Sequence, residues 1–324
     1  MTEPGRRIAV TGASGYVGAG LVRRLQKEGA VEAVLAIDVQ PAAETPGNKV
    51  IYLPHDIARP LPEAFTENAI DTVVHLAYVL RPDRERKAAR RVNVGGATNV
   101  LDACAEARVG RVIYLSSTSV YGAHADNPPM LTEDSPLRPA RGFQYSEDKV
   151  EAEGLFRGFA ERNPAVAVAI LRGCPVLGPN ADNSIAGAFL RRFLVAARGN
   201  DPPLQLIHED DLTDILTHCC LAGASGVYNV AGSGVIRWSE MVRILGRPLI
   251  TLPPAPLCWA ATVAWWLRLQ SDSPPSGLSY IRYPWTASTK KTERELGMSP
   301  RYSSRETVEA FMGRRADIRR GSPA

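Results

Sequence analysis

The segment from Arg6 to Leu25, RRIAVTGASGYVGAGLVRRL, constrains the fold more than any other part of this sequence. A short apolar run ends just before Gly12, and a helical pattern begins a few residues later. Gly12, Gly15 and Gly18 lie between them with the spacing G-x-x-G-x-x-G. Glycine allows a tight turn and a close approach of the helix to the strand. The segment therefore predicts a strand, a tight turn and a helix packed against that strand.

The same alternation continues through the first half of the chain. Further apolar runs, predicted as strands and separated by helical patterns, are VLAIDV, DTVVHLAY, RVIYLSS and VAVAILR. This order predicts an α/β fold with a Rossmann-type, doubly wound parallel sheet. We assign the sheet domain to residues 1–172, with a segment of about 206–231 returning to it. A smaller α/β substrate domain of residues 173–316, with a helix near residues 186–197, and a polar tail of residues 317–324 follow.

The glycine turn and the acid that follows it predict a dinucleotide site. The helix N-terminus after the glycines would present free N–H groups and a positive dipole end to a pyrophosphate. Asp38 ends the second predicted strand, about 20 residues further on, where a carboxylate can accept hydrogen bonds from the adenosine ribose. Because this acid would repel a 2′-phosphate, the sequence favours NAD over NADP. Asp56 could bind the adenine amino group, although a turn-forming Asp is an equally good interpretation.

Composition argues against several other classes of protein. The 324 residues are 45% apolar and 22% charged, and the net charge of +4 indicates neither nucleic-acid binding nor an anionic membrane partner. Five cysteines without metal-ligand spacing predict no metal site and buried thiols in a reducing cytoplasm. The N-terminus has no signal-peptide pattern. The apolar segment Leu257 to Leu269 is too short for stable membrane insertion; it predicts a buried or cleft-lining helix, with an interfacial anchor as the alternative.

Tyr145 and Lys149 lie one turn apart in a helix predicted from Tyr145 to Glu161. A free phenol titrates near a pKa of about 10, so an adjacent ammonium would make it a usable base. Ser116 and Ser117 leave the sheet at the end of RVIYLSS, where ligands bind in open α/β folds. The spacing makes these side chains candidates for one site, but it leaves a chance pairing on the helix open.

Taken together and in order, these motifs resemble the extended short-chain dehydrogenase/reductase family, also called the NAD-dependent epimerase/dehydratase family. The matching stretches spread over about two-thirds of the chain and are TGASGYVG, HLAY, VNVGG, SSTSVYG, YSEDK and IHEDDLTDIL.

The resemblance implies roles for individual residues. Tyr145 would be the general acid/base, Lys149 would lower its pKa and hold the nicotinamide ribose, and Ser117 would hydrogen-bond the reacting carbonyl or alcohol. Asn93 would brace the active-site helix, and His75 is expected to pack rather than react. The residues expected to contact NAD are Gly12, Ser14, Gly15, Tyr16, Val17, Gly18, Asp38, Asp56, Ile57, Leu76, Ala77, Asn93, Ser116, Tyr145, Lys149, Pro175 and Val176.

The sequence departs from the family on the substrate side. Pro175 and Leu177 stand where sugar-nucleotide members often carry Asn and Tyr, and Leu204 stands where they often carry Arg. These departures count against a nucleotide sugar, because burying an unpaired diphosphate is costly. The arginines that could substitute are Arg191, Arg192, Arg237 and Arg282. Tryptophans in the carboxy-terminal third suit a less polar carbonyl or alcohol, or simply pack the smaller domain.

The leading hypothesis is an NAD-dependent oxidoreductase or epimerase that acts on a small secondary alcohol or carbonyl by hydride transfer. One alternative is a nucleotide-sugar 4-epimerase or dehydratase. Others are a non-catalytic NAD(P)-sensing regulator on the same fold and an interfacial lipid-modifying reductase. In related proteins the helices that carry the Asn and the Tyr–Lys pair form a dimer interface, and the apolar residues Val100, Leu101 and Leu155 predict a homodimer here.

Overall fold

The computed structural model describes residues 5–42, 47–80, 86–269 and 274–319. Seven parallel strands form its central sheet. They are β1 (Arg6–Thr11), β2 (Val31–Asp38), β3 (Val50–Pro54), β4 (Thr72–His75), β5 (Arg111–Ser117), β6 (Ala167–Gly173) and β11 (Gly226–Val230). Their order is β11-β6-β5-β4-β1-β2-β3. The predicted α/β fold with a doubly wound parallel sheet is therefore confirmed.

Helices follow most of these strands. The α-helices of the described residues are α1 (Tyr16–Leu25), α2 (Pro62–Glu67), α3 (Arg86–Arg90), α4 (Gly96–Glu106), α5 (Gln144–Arg162), α6 (Ser184–Phe189), α7 (Glu209–Ala222), α8 (Trp238–Ile244), α9 (Pro254–Trp266), α10 (Lys290–Leu296) and α11 (Ser304–Arg319). Shorter segments are a π-helix (Arg91–Gly95) and two 3₁₀ helices (Thr118–Tyr121 and Pro275–Ile281). None of the helices in the described ranges combines the length and the apolar composition needed to cross a bilayer.

Both faces of the sheet are buried, each under its own pair of helices. On one face Leu21 of α1 and Leu216 of α7 pack over Ile8 of β1. On the other face Val100 of α4 and Phe156 of α5 belong to the second core cluster. Strands buried on both faces need continuous apolar runs rather than alternation, which is why the sequence shows such runs.

The proposed dimer residues need a correction. Val100 is 0% and Leu101 is 5% exposed, because both side chains point into the core of the subunit itself. They are therefore not available to form an apolar surface between copies. Leu155 of α5 is only partly buried against the same core.

The strand order places the functional end of the sheet. The chain runs outward from β1 through β2 to β3 and then returns to β4 on the other side of β1. At such a reversal the loops after neighbouring strands diverge and leave a crevice at the carboxyl edge. Residues that follow β1, β2, β4 and β5 therefore meet there.

A second, smaller region follows β6. Its strands are β7 (Val176–Leu177), β8 (Leu194–Ala197), β9 (Pro203–Leu204), β10 (Ile207–His208), β12 (Ile236–Arg237) and β13 (Leu249–Leu252), which pair as β7 with β10, β9 with β12 and β8 with β13. Their own core contains Trp238 and Phe311. Between these elements, β11 pairs with β6 in the central sheet. The division into residues 1–172 and 173–316, with 206–231 returning, stays a prediction.

The helix predicted near residues 186–197 is only partly correct. The α-helix α6 ends at Phe189, and Leu194 to Ala197 form β8. These four residues pair in parallel with Leu249 to Leu252 of β13. Hydrogen bonding to a partner far along the chain decides this segment, and local periodicity contains no information about that partner.

The Trp-rich segment is also only partly as predicted. In α9 Leu257 is buried, but Trp259 is 70% and Trp266 is 79% exposed. One side of the helix therefore packs against the protein, and large apolar side chains on its other side are exposed to solvent.

Candidate functional site

A cavity of about 950 Å³ lies along the carboxyl edge of the sheet. The structure brings all the predicted site residues into its lining. These residues are Gly12, Ser14, Gly15, Tyr16, Val17, Gly18, Asp38, Asp56, Ile57, Leu76, Ala77, Asn93, Ser116, Ser117, Tyr145, Lys149, Pro175 and Val176. Their common location agrees with one binding site, while their individual roles remain predictions.

The glycine turn forms a tight cradle at one end of the cavity. Gly12 has a φ of +71°, and a Cβ added to it would lie 2.7 Å from the Ala77 backbone. A Cβ on Gly18 would overlap the carbonyl oxygen of Gly12. Helix α1 begins at Tyr16 with Gly15 as its N-cap, and no side chain caps it. The N–H groups of its first turn are therefore available to an anion.

Two acids lie beside this cradle. The Asp38 carboxylate accepts hydrogen bonds from the backbone N–H of Ser14 and of Gln40, both at 2.9 Å. Each carboxylate oxygen keeps a further lone pair, which a ribose hydroxyl could use. Asp56 accepts a 2.9 Å bond from the Ala58 N–H, which is the geometry of a turn-forming Asp. It also lines the cavity, and its binding of the adenine amino group stays a prediction.

These observations fit a bound NAD. The cradle would be closed by any side chain at Gly12 or Gly18, the uncapped helix end suits a pyrophosphate, and Asp38 suits a ribose.

Tyr145 and Ser117 meet on the sheet side of the cavity. Ser117 is the last residue of β5, and Tyr145 lies in the first turn of α5. Burial raises the pKa of Tyr145 above the ordinary phenol value, and a hydrogen bond with Ser117 offsets part of that rise. The Ser117 hydroxyl oxygen also accepts a 3.1 Å bond from the Ser119 N–H, which fixes its position.

Lys149 lies one turn further along α5 and is buried. Its Nζ donates a 2.6 Å hydrogen bond to the Leu115 carbonyl and lies 3.9 Å from the ring centroid of Tyr78. Burial lowers the pKa of Lys149 to about 7, although Glu153 partly offsets this shift. The neutral form of the amine is therefore far more accessible near neutral pH than in an ordinary lysine. Its expected effect on the pKa of Tyr145 remains a prediction.

This shift predicts a pH dependence of stability. Lys149 has a pKa of about 7 in the folded chain against an ordinary value of 10.5, so between these values the unfolded chain binds more protons. The free energy of unfolding should therefore rise with pH across this window, because removing the proton that only the unfolded chain binds costs less free energy as the pH rises. Lys149→Met should remove that contribution, so wild type should gain about 2 kcal/mol relative to the variant between about pH 7 and pH 9. Urea titrations of both proteins at the two pH values check this, and parallel curves would contradict it.

Tyr78 is a residue of the site that sequence reasoning missed. Its hydroxyl donates a 2.8 Å bond to the Tyr145 carbonyl, and the two rings meet edge to face with centroids 5.2 Å apart. It thus holds the first turn of α5 and covers Lys149. The sequence signal that could have identified Tyr78 was its position as the last residue of the HLAY motif, three residues after the end of β4.

A buried ionic network behind the site was also missed. The Ser116 hydroxyl donates a 2.6 Å bond to Glu153, and Arg172 donates at 2.8 Å to the other oxygen of the same carboxylate. Arg172 also donates to the Tyr121 hydroxyl at 2.7 Å. Because the Ser116 hydroxyl donates its proton to Glu153, a hydrogen bond between this hydroxyl and the cofactor would use the oxygen as the acceptor. The signal was Glu153 one turn after Lys149 on the same helix.

Asn93 connects two parts of the site. Its side-chain nitrogen donates a 3.0 Å bond to Asp148 of α5, and its oxygen accepts a 2.8 Å bond from the Val79 N–H after β4. This geometry agrees with the bracing role that the family resemblance implies.

His75 lies beneath the site, in the core. Its Nδ1 is 2.8 Å from the Thr11 hydroxyl, and its ring stacks on Tyr114 and Phe156. Burial, and then the charge of Lys149, lower the pKa of His75 to about 3. The ring is therefore neutral at physiological pH, which suits packing rather than proton transfer.

The other end of the cavity is largely apolar. Side chains that line it are Ile185, Phe189, Trp265, Tyr280 and Trp285. The cations in the described lining are Lys149 and Arg86, and Arg86 forms a 2.9 Å ion pair with Glu147.

The four arginines considered as substitutes for a diphosphate-binding group do not lie in the described part of that lining. One of them, Arg282, donates instead to the sulfur of Cys258 in α9, at 3.7 Å.

Comparisons with known proteins concern the family and the fold of the chain. A family model described as the NAD dependent epimerase/dehydratase family matches residues 8–231. An uncharacterized protein of Mycobacterium bovis is 29% identical over 311 residues, which cover 94% of this chain and 82% of that protein. A low-salt glycan biosynthesis protein of Haloferax volcanii is 30% identical over 250 residues, which cover 70% of this chain and 77% of that protein.

Among solved structures, UDP-glucuronic acid 4-epimerase from Bacillus cereus in complex with NAD has the same fold. The TM-score is 0.74 and the sequence identity 19%, over 96% of this chain and 99% of that one.

Proposed function

Since the chain belongs to the NAD dependent epimerase/dehydratase family of enzymes, we propose that it transfers hydride between NAD and a secondary alcohol or carbonyl. One observation carries this proposal. Tyr145, Ser117 and Lys149 line the same cavity as the glycine cradle and Asp38. The proposed proton-transfer group and the proposed dinucleotide site therefore open into the same cavity, as hydride transfer requires.

The protein's part in the reaction is to orient the substrate oxygen and move one proton. Bound NAD supplies the acceptor or donor of the hydride. Ser117 would hydrogen-bond the substrate oxygen, and the Tyr145 oxygen would take its proton during oxidation or return it during reduction. A positively charged Lys149 would favour the phenolate, because an opposite charge nearby stabilises the ionised form.

The residues proposed to bind the adenosine part of the cofactor decide between NAD and NADP. We propose that the glycine turn and the α1 N-terminus hold the pyrophosphate and that Asp38 holds the ribose. Its carboxylate, fixed by the Ser14 and Gln40 N–H groups, would repel a 2′-phosphate. We therefore propose NAD rather than NADP as the cofactor.

An apolar alcohol or carbonyl is the proposed substrate class. The aromatic end of the cavity supports this class. The two cations of the described lining support it as well, because Arg86 is already paired with Glu147 and Lys149 is already bonded to the Leu115 carbonyl. A buried diphosphate would need free donors. The alternative is a nucleotide-sugar 4-epimerase or dehydratase, which the likeness to UDP-glucuronic acid 4-epimerase favours.

A direct assay tests the proposal. Purified protein is incubated with NAD⁺ or NADP⁺ and either apolar secondary alcohols or UDP-sugars, and the absorbance of the reduced nicotinamide is followed. We expect reduced cofactor with an apolar alcohol, at a rate at least about tenfold higher with NAD⁺ than with NADP⁺.

Other outcomes separate the alternatives. A new sugar epimer without accumulation of reduced cofactor would replace the proposal with the epimerase. Tight NAD binding without turnover of any substrate would favour the sensing regulator.

We propose a cytoplasmic homodimer, with two modest supports. All five cysteines are free thiols and four of them are buried, as is common in a reducing compartment. For the dimer, Leu155 on α5 is the one of the three predicted interface residues that is only partly buried within the subunit. Light scattering of the wild type and of Leu155→Glu would test the assembly.

A further inference from the structure

Helix α9 (Pro254–Trp266) is apolar on every side, yet the protein covers only part of it. None of its 13 residues is charged, and only Leu257 is fully buried. It packs mainly against the 3₁₀ helix Pro275–Ile281. A helix that is apolar all round is normally enclosed by a protein core or by lipid. The uncovered side of α9 therefore calls for an apolar partner.

The uncovered residues form a patch that we call the α9 patch, defined by Trp259, Trp266, Leu267 and Leu269. Their side chains are 70%, 79%, 64% and 74% exposed, respectively. Phe193, just before β8, and Ile250 of the paired strand β13 are also 48% and 41% exposed. Trp259 and Trp266 are seven residues apart and share one face of α9, and Leu267 and Leu269 follow its end. Exposed apolar side chains gathered in this way mark a contact with another molecule, unlike scattered single residues.

The chain segments that carry the α9 patch and the paired strands β8 and β13 are rich in arginine. Neither residues 183–200 nor residues 241–269 contain an Asp or a Glu, while together they contain Arg191, Arg192, Arg198, Arg243, Arg247 and Arg268. Their six positive charges are more than the net charge of +4 of the whole chain.

Two of these arginines can be placed close to α9. The Arg198 N–H donates a 2.7 Å bond to the Leu252 carbonyl, one residue before the N-cap of α9. Arg268 follows the last turn of the helix, and both side chains are exposed. Positive charge therefore flanks both ends of the apolar helix.

We propose that the α9 patch docks peripherally on an anionic lipid surface. Trp side chains favour the boundary between headgroups and acyl chains, because one part of the indole is apolar and its N–H can reach a polar partner. Arginines around them are attracted to anionic headgroups. The helix is too short to span a bilayer, so it would lie in the interface.

The charge pattern disfavours a second copy of this chain as the partner. A two-fold dimer places the same surface of each copy in contact with itself. The flanking arginines would then face arginines, which repel each other, whereas anionic lipid complements them.

The position of α9 connects this surface with the cavity. Trp265 of the same helix lines the apolar end of the cavity, while Trp259 and Trp266 face outward. Docking would therefore place that end of the cavity next to lipid. Entry of an apolar substrate by this route rests on the proposed function, whereas docking itself does not.

Vesicle flotation with the full chain tests the docking. Vesicles of phosphatidylcholine alone are compared with vesicles that also contain phosphatidylglycerol. We expect flotation with the anionic vesicles, weakened by salt, and a blue shift of Trp fluorescence. Trp259→Ser/Trp266→Ser should lower the partition coefficient by about tenfold or more. Arg198→Gln/Arg268→Gln should weaken binding to the anionic vesicles alone.

A matched control removes apolar surface elsewhere. Ile51 and Val235 are 46% and 49% exposed, so Ile51→Ser/Val235→Ser should float like the wild type. Absence of flotation with anionic vesicles would overturn the proposal, and so would equal losses in the Trp variant and this control. If the Trp variant floats normally but dissociates an oligomer in light scattering, the patch joins two copies of the chain instead. Circular dichroism confirms that each variant is folded.

Discussion

Tyr145→Phe should lower kcat/KM by about a thousandfold while leaving the affinity for NAD nearly unchanged. The substitution removes one oxygen from a side chain that lines the cavity and hydrogen-bonds Ser117. It keeps the ring, which packs edge to face on Tyr78. Proton transfer should therefore be lost without a change in the fold or in the glycine cradle.

Three measurements define this result. Turnover is measured with the best substrate of the alcohol panel, NAD affinity by calorimetry and stability by thermal unfolding. Tyr228→Phe is the matched control, because its hydroxyl donates to the Ser225 carbonyl at 2.7 Å, outside the described cavity lining. The control should lose about 1 kcal/mol of stability and retain its activity.

The outcome separates enzyme from regulator. Full activity in Tyr145→Phe would remove this residue as the general acid/base, and with it the main support for the proposed reaction. Loss of NAD affinity together with activity would show instead that the ring positions the cofactor.

Gly18→Ala should nearly abolish NAD binding, with at least about a hundredfold loss of affinity, and destabilise the protein by about 1–3 kcal/mol. The new Cβ would overlap the Gly12 carbonyl oxygen and lie 2.9 Å from the Ala13 Cα. Both are backbone atoms, so relief requires a movement of the turn itself. That turn is the proposed site of the pyrophosphate.

Gly20→Ala, two residues further along the same helix, should have the opposite effect on stability. The atom nearest to its new Cβ is the Thr213 hydroxyl oxygen, at 3.6 Å, which is ordinary contact. Alanine is the better helix former, so we expect a gain of about 0.5–1 kcal/mol and unchanged NAD affinity. Urea titration of Gly18→Ala and Gly20→Ala checks the opposite changes in stability, and calorimetry compares their affinities for NAD. Equal NAD affinity in the two variants would show that the cradle does not hold the cofactor.

Much of the fold and of the site was accessible from sequence because the signals are local. A strand, a glycine turn and a helix are consecutive in the chain, and parallel strands bring the ends of such units to one edge. Gly12, Asp38 and Ser117 were therefore predictable as neighbours without any knowledge of side-chain contacts, whereas the family resemblance placed Tyr145 beside them.

The missed residues depend on contacts between distant parts of the chain. Glu153 was visible in its helix, but its partner Arg172 lies on the next strand and Ser116 on the previous one. A buried carboxylate must be paired, yet the sequence does not say with which residue. Tyr78 likewise acquires a function only when α5 is placed beside it.

The sequence by itself determined the layered α/β architecture and which strand ends meet at the carboxyl edge of the sheet, because periodicity and turn chemistry act over a few residues. Only the tertiary structure decided that Leu194–Ala197 is a strand, that Val100 and Leu101 are internal, and that Trp259 and Trp266 face outward. An apolar side chain is equally compatible with a core, a cavity wall or an exposed patch. Which of these it becomes depends on what the rest of the chain packs against it.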